Sequence, residues 1–519
     1  MIKHNSSVLC KVIADMYREK LEFKKYYFCL YVLLFFFIWL AAQIPYTHDD
    51  WDWGIDLGMQ QFLYATVNSR YSGNLLEVIL TRSEFAKNAV MGFTFFALPL
   101  AAVLLIPRTD NFKNSDTFIL VTVSYMLFLS IGKNMWCETN GWIAGFSNYT
   151  FSVLVLSAFL KQVQHVATQS TVGQYPSIPR ALIVFITVLA LQMFLENLTL
   201  FVLLFCCLLL VFSLRHNRCI AFSASALLAS IIGAVLMFSS SIYSTLLSSG
   251  QAVDGYRQLT FRAGSGILYF VLSITRNIAT RIIPPLYIGC YLHCIILLAA
   301  LLALACVHTT LYKNFYILLD IVCISVFAAE FFGMSKLLDS LNHRIAVALI
   351  ALFSVFFFAV VFMQLQHLLK PYKSLQIWAL IFWLAPPIIV FPMAAVNTIG
   401  VRTFYTSLFF ISLVILAVSS ALLSECTTKL RCSLLAGSVV VILALIIHFS
   451  IVYNAIGQIK RQRDEIISVS VESEASVIVL PNFPYESYLH GANPVGEEKM
   501  VYFKDFYGIP QKSTVIFLD

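Results

Sequence analysis

Charge is scarce in this chain. Of 519 residues only 12% are Asp, Glu, Lys or Arg, against 60% apolar and 14% aromatic, a balance that excludes a soluble globule of this length and indicates a polytopic membrane protein. Other absences narrow the chemistry. No Gly-rich phosphate loop, Walker motif or dinucleotide fingerprint occurs in a soluble segment, which argues against direct nucleotide use. No His or Cys spacing suits zinc, and no Asp run has the Gly-centred spacing of a calcium loop. The 12 cysteines fall almost entirely inside or beside apolar segments, with Cys137 alone in an outer loop, so a disulfide framework is not supported. The net charge of +7 reflects basic residues flanking apolar runs and implies no nucleic-acid partner. No small-residue cleavage site follows the first apolar run, so the basic segment 1–26 and the run after it read as a retained first helix.

What the chain does have is apolar runs near the length of about 20 residues that crosses a bilayer. Candidates are 27–44, 89–107, 118–132, 149–160, 181–195, 198–214, 220–238, 285–307, 315–332, 344–363, 375–392, 405–423 and 434–452. The expected fold is therefore all-α and polytopic, with about thirteen transmembrane helices in a single domain over 27–452. The N-terminal cluster Lys3, Lys11, Arg18, Lys20, Lys24 and Lys25 places 1–26 in the cytoplasm. The loop 45–88 and the tail 453–519 then share the opposite, extracytoplasmic side.

The loop opens with Pro45-Tyr46-Thr47-His48-Asp49-Asp50-Trp51-Asp52-Trp53, three carboxylates and two indoles directly after the first span. Carboxylates beside a bilayer are costly, and a simple polar cap needs neither the acids nor the pair of tryptophans beyond interfacial anchoring. Two carboxylates at a membrane surface can take a proton from a hydroxyl as it attacks an electrophile, and a neighbouring carboxylate raises the pKa toward a useful range. Asp49 and Asp50 supply such a pair, while Trp51 and Trp53 offer flat faces of the kind that stack on a sugar ring.

Farther along the loop, Ile55, Met59, Phe62 and Leu63 share one helical face, and Leu75, Leu76, Ile79 and Leu80 repeat the pattern after a break, which predicts two amphipathic helices lying on the membrane. The segment 133–149 brings Glu138, Trp142 and Asn148 to the mouth of a span, and Glu196 sits at the tight turn between two more. Arginines stand near the outer side at Arg257, Arg262, Arg276, Arg281, Arg344 and Arg402, where they either snorkel to headgroups or hold a lipid phosphate. The stretch 264–283 is expected to be a third interfacial or re-entrant helix. In the tail, alternation in 476–480 and 515–518 with Pro and Gly between predicts a small α+β cap that rests on the outer loops.

An inside N-terminus, an Asp-Asp motif just past the first span, amphipathic helices in that loop and a soluble tail on the same side resemble the GT-C class of integral membrane glycosyltransferases. The pairing of HDDWDWG (48–54) with NSRYSGN (68–74) and GWIAGFSNY (141–149) looks most like the bacterial branch that decorates surface polysaccharides, in the manner of O-antigen glucosyltransferases. The resemblance implies a GT-C-like bundle in the bacterial cytoplasmic membrane and a polyprenyl-phosphate sugar as donor. The acceptor is a polysaccharide or lipid-linked glycan, and the displacement inverts. It implies Asp49 as catalytic base and Asp50 as the residue that positions the sugar or a divalent cation. Arg70, Tyr71, Asn74, Glu138, Trp142, Asn148 and Glu196 complete the expected binding site, with Arg262, Arg344 and Arg402 as candidates for the phosphate. A flippase for lipid-linked sugars is the alternative, and would need ionisable groups within spans, where Asp320, Glu330, His293 and His448 are the candidates, together with two similar halves that are not evident. A polysaccharide polymerase shares donor and compartment, although an acidic first loop counts against it.

Overall fold

Long apolar runs with no water to hydrogen-bond their backbone form helices, and helices make up most of the described residues. The computed structural model describes residues 27–109, 112–168, 178–250, 258–260, 266–307, 313–331, 343–397 and 399–518. Among them, 9 helices are long and apolar enough to cross a membrane. A bent pair, Ser115–Leu129 with Lys133–Thr139 at 88°, would make another, and Tyr27–Gln43 and Ile178–Gln192 are shorter apolar helices. The protein is therefore an all-α multi-pass membrane protein. At the centre runs Tyr405–Glu425, buried on nearly all sides and apolar all round, as a helix with no solvent or lipid face should be.

Most of the stretch expected as an interfacial or re-entrant helix, 264–283, opens a helical run, Ile267–Val307, of 41 residues, longer than one crossing requires. Two prolines, Pro284 and Pro285, lack the N–H that an α-helix needs there, and the run accommodates them with a π turn at Ile278–Ile282 just before them.

The two helices of the first loop are present. Asp56–Tyr64 and Tyr71–Arg82 expose Met59, Leu63 and Tyr64, and Leu75 and Ile79, while Leu80 is wholly buried. Exposed apolar residues on one face suit an interfacial position. The opposite face of the second helix, with Asn74, Glu77 and Thr81 at helical spacing, is buried against the protein.

The last helix, Thr428–Glu472, has 45 residues, about 68 Å at about 1.5 Å per residue, more than twice the hydrocarbon thickness. Its far end carries a small α+β unit. Strands Val477–Pro481 and Thr514–Leu518 pair in parallel, joined through the helix Glu497–Tyr507. Arg463 fastens this unit to the long helix, donating to the Pro481 carbonyl and to Asn493 Oδ1, both at 2.7 Å, with its guanidinium 3.9 Å above the Phe483 ring. The unit's own core, Ile467, Ile478, Leu480, Phe503 and Ile509, closes around Trp51 of the first loop. Two segments far apart in sequence thereby share one apolar cluster. Truncating Trp51 to Ala should cost about 3–5 kcal/mol, the range for an aromatic removed from a core. A lowered melting temperature and faster proteolytic release of the tail would report it, and an unchanged tail would show that the docking lies elsewhere.

Candidate functional site

The chain turns sharply after the first helix because His48 adopts a left-handed backbone, φ 52°, which is uncommon for a residue with a side chain and frequent where function fixes geometry. Gly491 of the tail packs against this turn so closely that a Cβ there would lie 2.6 Å from the His48 ring. The short helix Asp50–Gly54 follows, and its acids separate into two environments.

Asp50 is fully buried. It accepts from the Thr47 backbone N–H at 2.9 Å and from the Ala144 N–H at 3.0 Å, tying the first loop to the turn before the π segment Phe146–Thr150. Burial pushes its pKa up to about 8 in spite of those donors. It faces away from the cavity, so it does not pair with Asp49 to hold a cation, and among the described residues no three His, Cys, Asp or Glu are placed to hold a metal ion. Asp49 and Asp52 face the other way, into a cavity of about 540 Å³. The Lys499 ammonium from the tail donates to both, at 2.7 and 2.8 Å, and His48 Nδ1 lies 2.7 Å from Asp49. Burial alone would raise Asp49, but His48 and Lys499 outweigh it and hold this carboxyl well below the usual carboxylate range. For Asp52, burial and the neighbouring Asp49 charge outweigh Lys499 and push the pKa up to about 6.

Around this cavity stand most of the residues singled out in the sequence: Trp53, Arg70, Asn74, Glu138, Trp142, Asn148 and Arg402. Trp142 stacks at 4.4 Å on His490 of the tail and lies 5.3 Å beneath the Arg402 guanidinium, whose backbone N–H reaches Glu138 at 3.4 Å. Burial, helped by His48 and Arg402, lowers the His490 pKa to about 4, so its ring is neutral at physiological pH. Asn148 donates to the Ala144 carbonyl at 3.0 Å, and Asn74 donates to Asn68 at the same distance. Gly73 lets these elements meet, since a Cβ there would lie 2.1 Å from Asn148 Oδ1.

A second chamber of about 260 Å³ adjoins the first and shares Arg70, Tyr149, Gly400 and Arg402 with it. Its walls are mostly apolar, from Leu200, Phe238, Leu246, Met393 and Val396. Here Glu196 takes Arg70 in a two-pronged ion pair, with contacts of 2.7 to 3.2 Å, and accepts from the Tyr243 hydroxyl at 2.7 Å. Burial opposes the Arg70 charge, but Glu196 outweighs it and keeps the guanidinium protonated.

Not every expected residue is at this site. Trp51 belongs to the apolar cluster under the tail, its indole N–H donating to the Tyr46 carbonyl at 3.2 Å, and so cannot stack on a ligand in the cavity. Tyr71 lines neither chamber and packs edge-on to Phe62. Arg262 and the side chain of Arg344 lie outside the described residues. Of the ionisable groups considered for transport, Asp320 accepts from Gln364 at 2.7 Å, His293 contacts the Leu127 carbonyl and His448 the Tyr488 hydroxyl, while the side chain of Glu330 lies outside the described residues.

Some lining residues had escaped the sequence reading. Glu77 is buried, with Oε1 lacking a hydrogen-bond partner, and burial together with the charges of Asp50, Asp49 and Asp52 raises its pKa well above the ordinary value. It stands on the cavity wall as a carboxyl whose charged form is disfavoured. Its spacing from Arg70 and Asn74 on one helical face was a usable signal. Lys499 and His490 carried none, because nothing local links the tail to residues 48–52. No protein-family model matches the chain, and neither the characterised proteins nor the solved structures contain a match to it.

Proposed function

We propose that this chain is an inverting membrane glycosyltransferase that moves a hexose from a polyprenyl phosphate to a hydroxyl of a lipid-linked or surface polysaccharide. The observation that carries this reading is the pair of adjoining chambers. One is polar and is lined by Asp49, Asp52, Glu77, Glu138 and the indoles of Trp53 and Trp142; the other is mostly apolar; Arg70 and Arg402 stand where they meet. That arrangement fits a substrate with a sugar at one end, an isoprenoid chain at the other and an anionic phosphate between.

In the step itself, the acceptor oxygen forms a bond to the anomeric carbon on the face opposite the phosphate. The anomeric carbon–oxygen bond breaks, and its electron pair leaves on the phosphate. Asp49, ionised and partly open to the cavity, takes the hydroxyl proton. Arg70 and Arg402 stabilise the charge that grows on the phosphate. Trp53 and Trp142 present ring faces to the sugar, and Glu77 donates a hydrogen bond to one of its oxygens.

Counting the bent pair, the two shorter apolar helices and Lys313–Phe331 as crossings gives thirteen spans among the described residues, a number that puts the first loop and the tail on one side. That side is extracytoplasmic in our reading, and the membrane is the bacterial cytoplasmic one. The decisive experiment supplies the protein in nanodiscs with radiolabelled polyprenyl-phosphate hexoses and a lipid-linked glycan acceptor. Label moving to the glycan is the expected result. In proteoliposomes, label crossing the bilayer still attached to its polyprenyl phosphate, with none transferred, would replace this reading with a flippase.

A further inference from the structure

A cavity that gathers two carboxylates beside an incoming phosphate needs positive charge between them, and a divalent cation is the common answer. Here the position is already taken. Lys499 Nζ donates to Asp49 Oδ1 at 2.7 Å and to Asp52 Oδ1 at 2.8 Å, so the two oxygens are no more than about 5.5 Å apart with an ammonium between them. The lysine is not a loose surface side chain. It leaves the first turn of Glu497–Tyr507, a helix seated by Phe503 edge-on against Trp51 at 5.2 Å and by Phe506 against Tyr46 at 5.1 Å. The tail's position thus delivers the charge to the carboxylates.

We infer that Lys499 stands in for a divalent cation between Asp49 and Asp52, making the C-terminal tail a working part of the site and the site's chemistry independent of metal. The role rests on the glycosyl-transfer reading, but the geometry of the charge does not. A mobile cation has to be bound before the donor and can leave with the product phosphate. A tethered ammonium stays, holds Asp49 ionised beside the acceptor, and offsets carboxylate charge that would otherwise repel the phosphate. Both partners of Lys499 persist through the cycle, so it is a positioning residue for Asp49 and Asp52.

Two measurements on protein in nanodiscs test this. Mn2+ binding followed by electron paramagnetic resonance should detect no ion at this pair in the wild type. In Lys499→Ala, the vacated carboxylates should bind Mn2+, and the added Asp52→Asn should abolish that binding. Lys499→Arg should bind none. This readout needs no turnover, so it stands even if no polyprenyl-phosphate sugar proves to be a substrate. In the transfer assay, EDTA should leave the wild type unaffected, Lys499→Ala should lose at least about 10-fold in kcat, and Mg2+ should restore part of that loss. Lys499→Met, which keeps the aliphatic stem against the first loop, controls for tail docking: protease resistance equal to wild type with activity reduced as in Lys499→Ala is expected. Mn2+ bound by the wild type at this pair, activity lost to EDTA, or Lys499→Ala that binds no Mn2+ while its tail stays docked would each overturn the inference.

Discussion

Asp49→Asn is expected to lower kcat for sugar transfer by about 100-fold or more, the low end for losing a general base. The amide keeps the carboxylate's shape and its contact with Lys499 through one oxygen, but it cannot take the acceptor's proton. Donor affinity should change little, because Trp53, Arg70, Trp142 and Arg402 all remain. The pH profile carries a second check. Asp49 and Asp52 share Lys499 and titrate as a pair, with the first proton taken near the Asp52 value of about 6 as pH falls. The acid limb of kcat/KM should therefore lie close to pH 6. Asp52→Asn removes the higher of the two values and should move that limb to lower pH. Normal turnover in Asp49→Asn with the tail docked would shift the base to Asp52 or Glu138, which line the same cavity.

Arg402→Gln should cost about 100-fold or more, the loss seen when a preorganised donor to developing charge is removed. Arg402 lines both chambers, is seated over Trp142 and has its backbone fixed by Glu138, so its guanidinium is oriented before substrate arrives. The phosphate gains negative charge as the sugar leaves, so most of the loss should fall on kcat and less on KM. Arg402→Lys keeps the charge without the planar fork and should recover only part of it. A rise in KM with kcat untouched would make Arg402 a binding residue alone. Arg70, whose fork is already taken by Glu196, should show a smaller effect on turnover and a larger one on stability, because its loss leaves the Glu196 carboxylate without its cation.

The helices were legible in the sequence because a bilayer leaves a segment of apolar residues few alternatives, and the first-loop helices were legible from spacing alone. The acidic cluster was legible too, but the roles within it were not. Asp49 and Asp50 are neighbours in the chain, and one helical step sends their side chains in opposite directions, the first to the cavity and the second to the Thr47 and Ala144 amides. Trp51 and Trp53 separate in the same way, into a core and a cavity wall. Such partitioning depends on what packs behind each residue. Lys499 and His490 lie beyond any local pattern, since they reach the site only once the long last helix and the small α+β unit are in place.

The ion pair between Asp49 and Lys499 joins positions 450 residues apart, so the first loop is made long before its partner. At a synthesis rate of roughly 5–20 residues per second, the carboxylates emerge from the ribosome some 20 to 90 seconds before the lysine that neutralises them. Throughout that interval the acids of the first loop lack their counter-charge and Trp51 lacks its apolar cover. A nascent chain, or one cut short by a premature stop, would therefore lack both the ammonium between Asp49 and Asp52 and the apolar partners of Trp51. The cluster around Trp51 and the ion pairs at Asp49 and Asp52 are therefore complete only once the C-terminal unit has been made and docked.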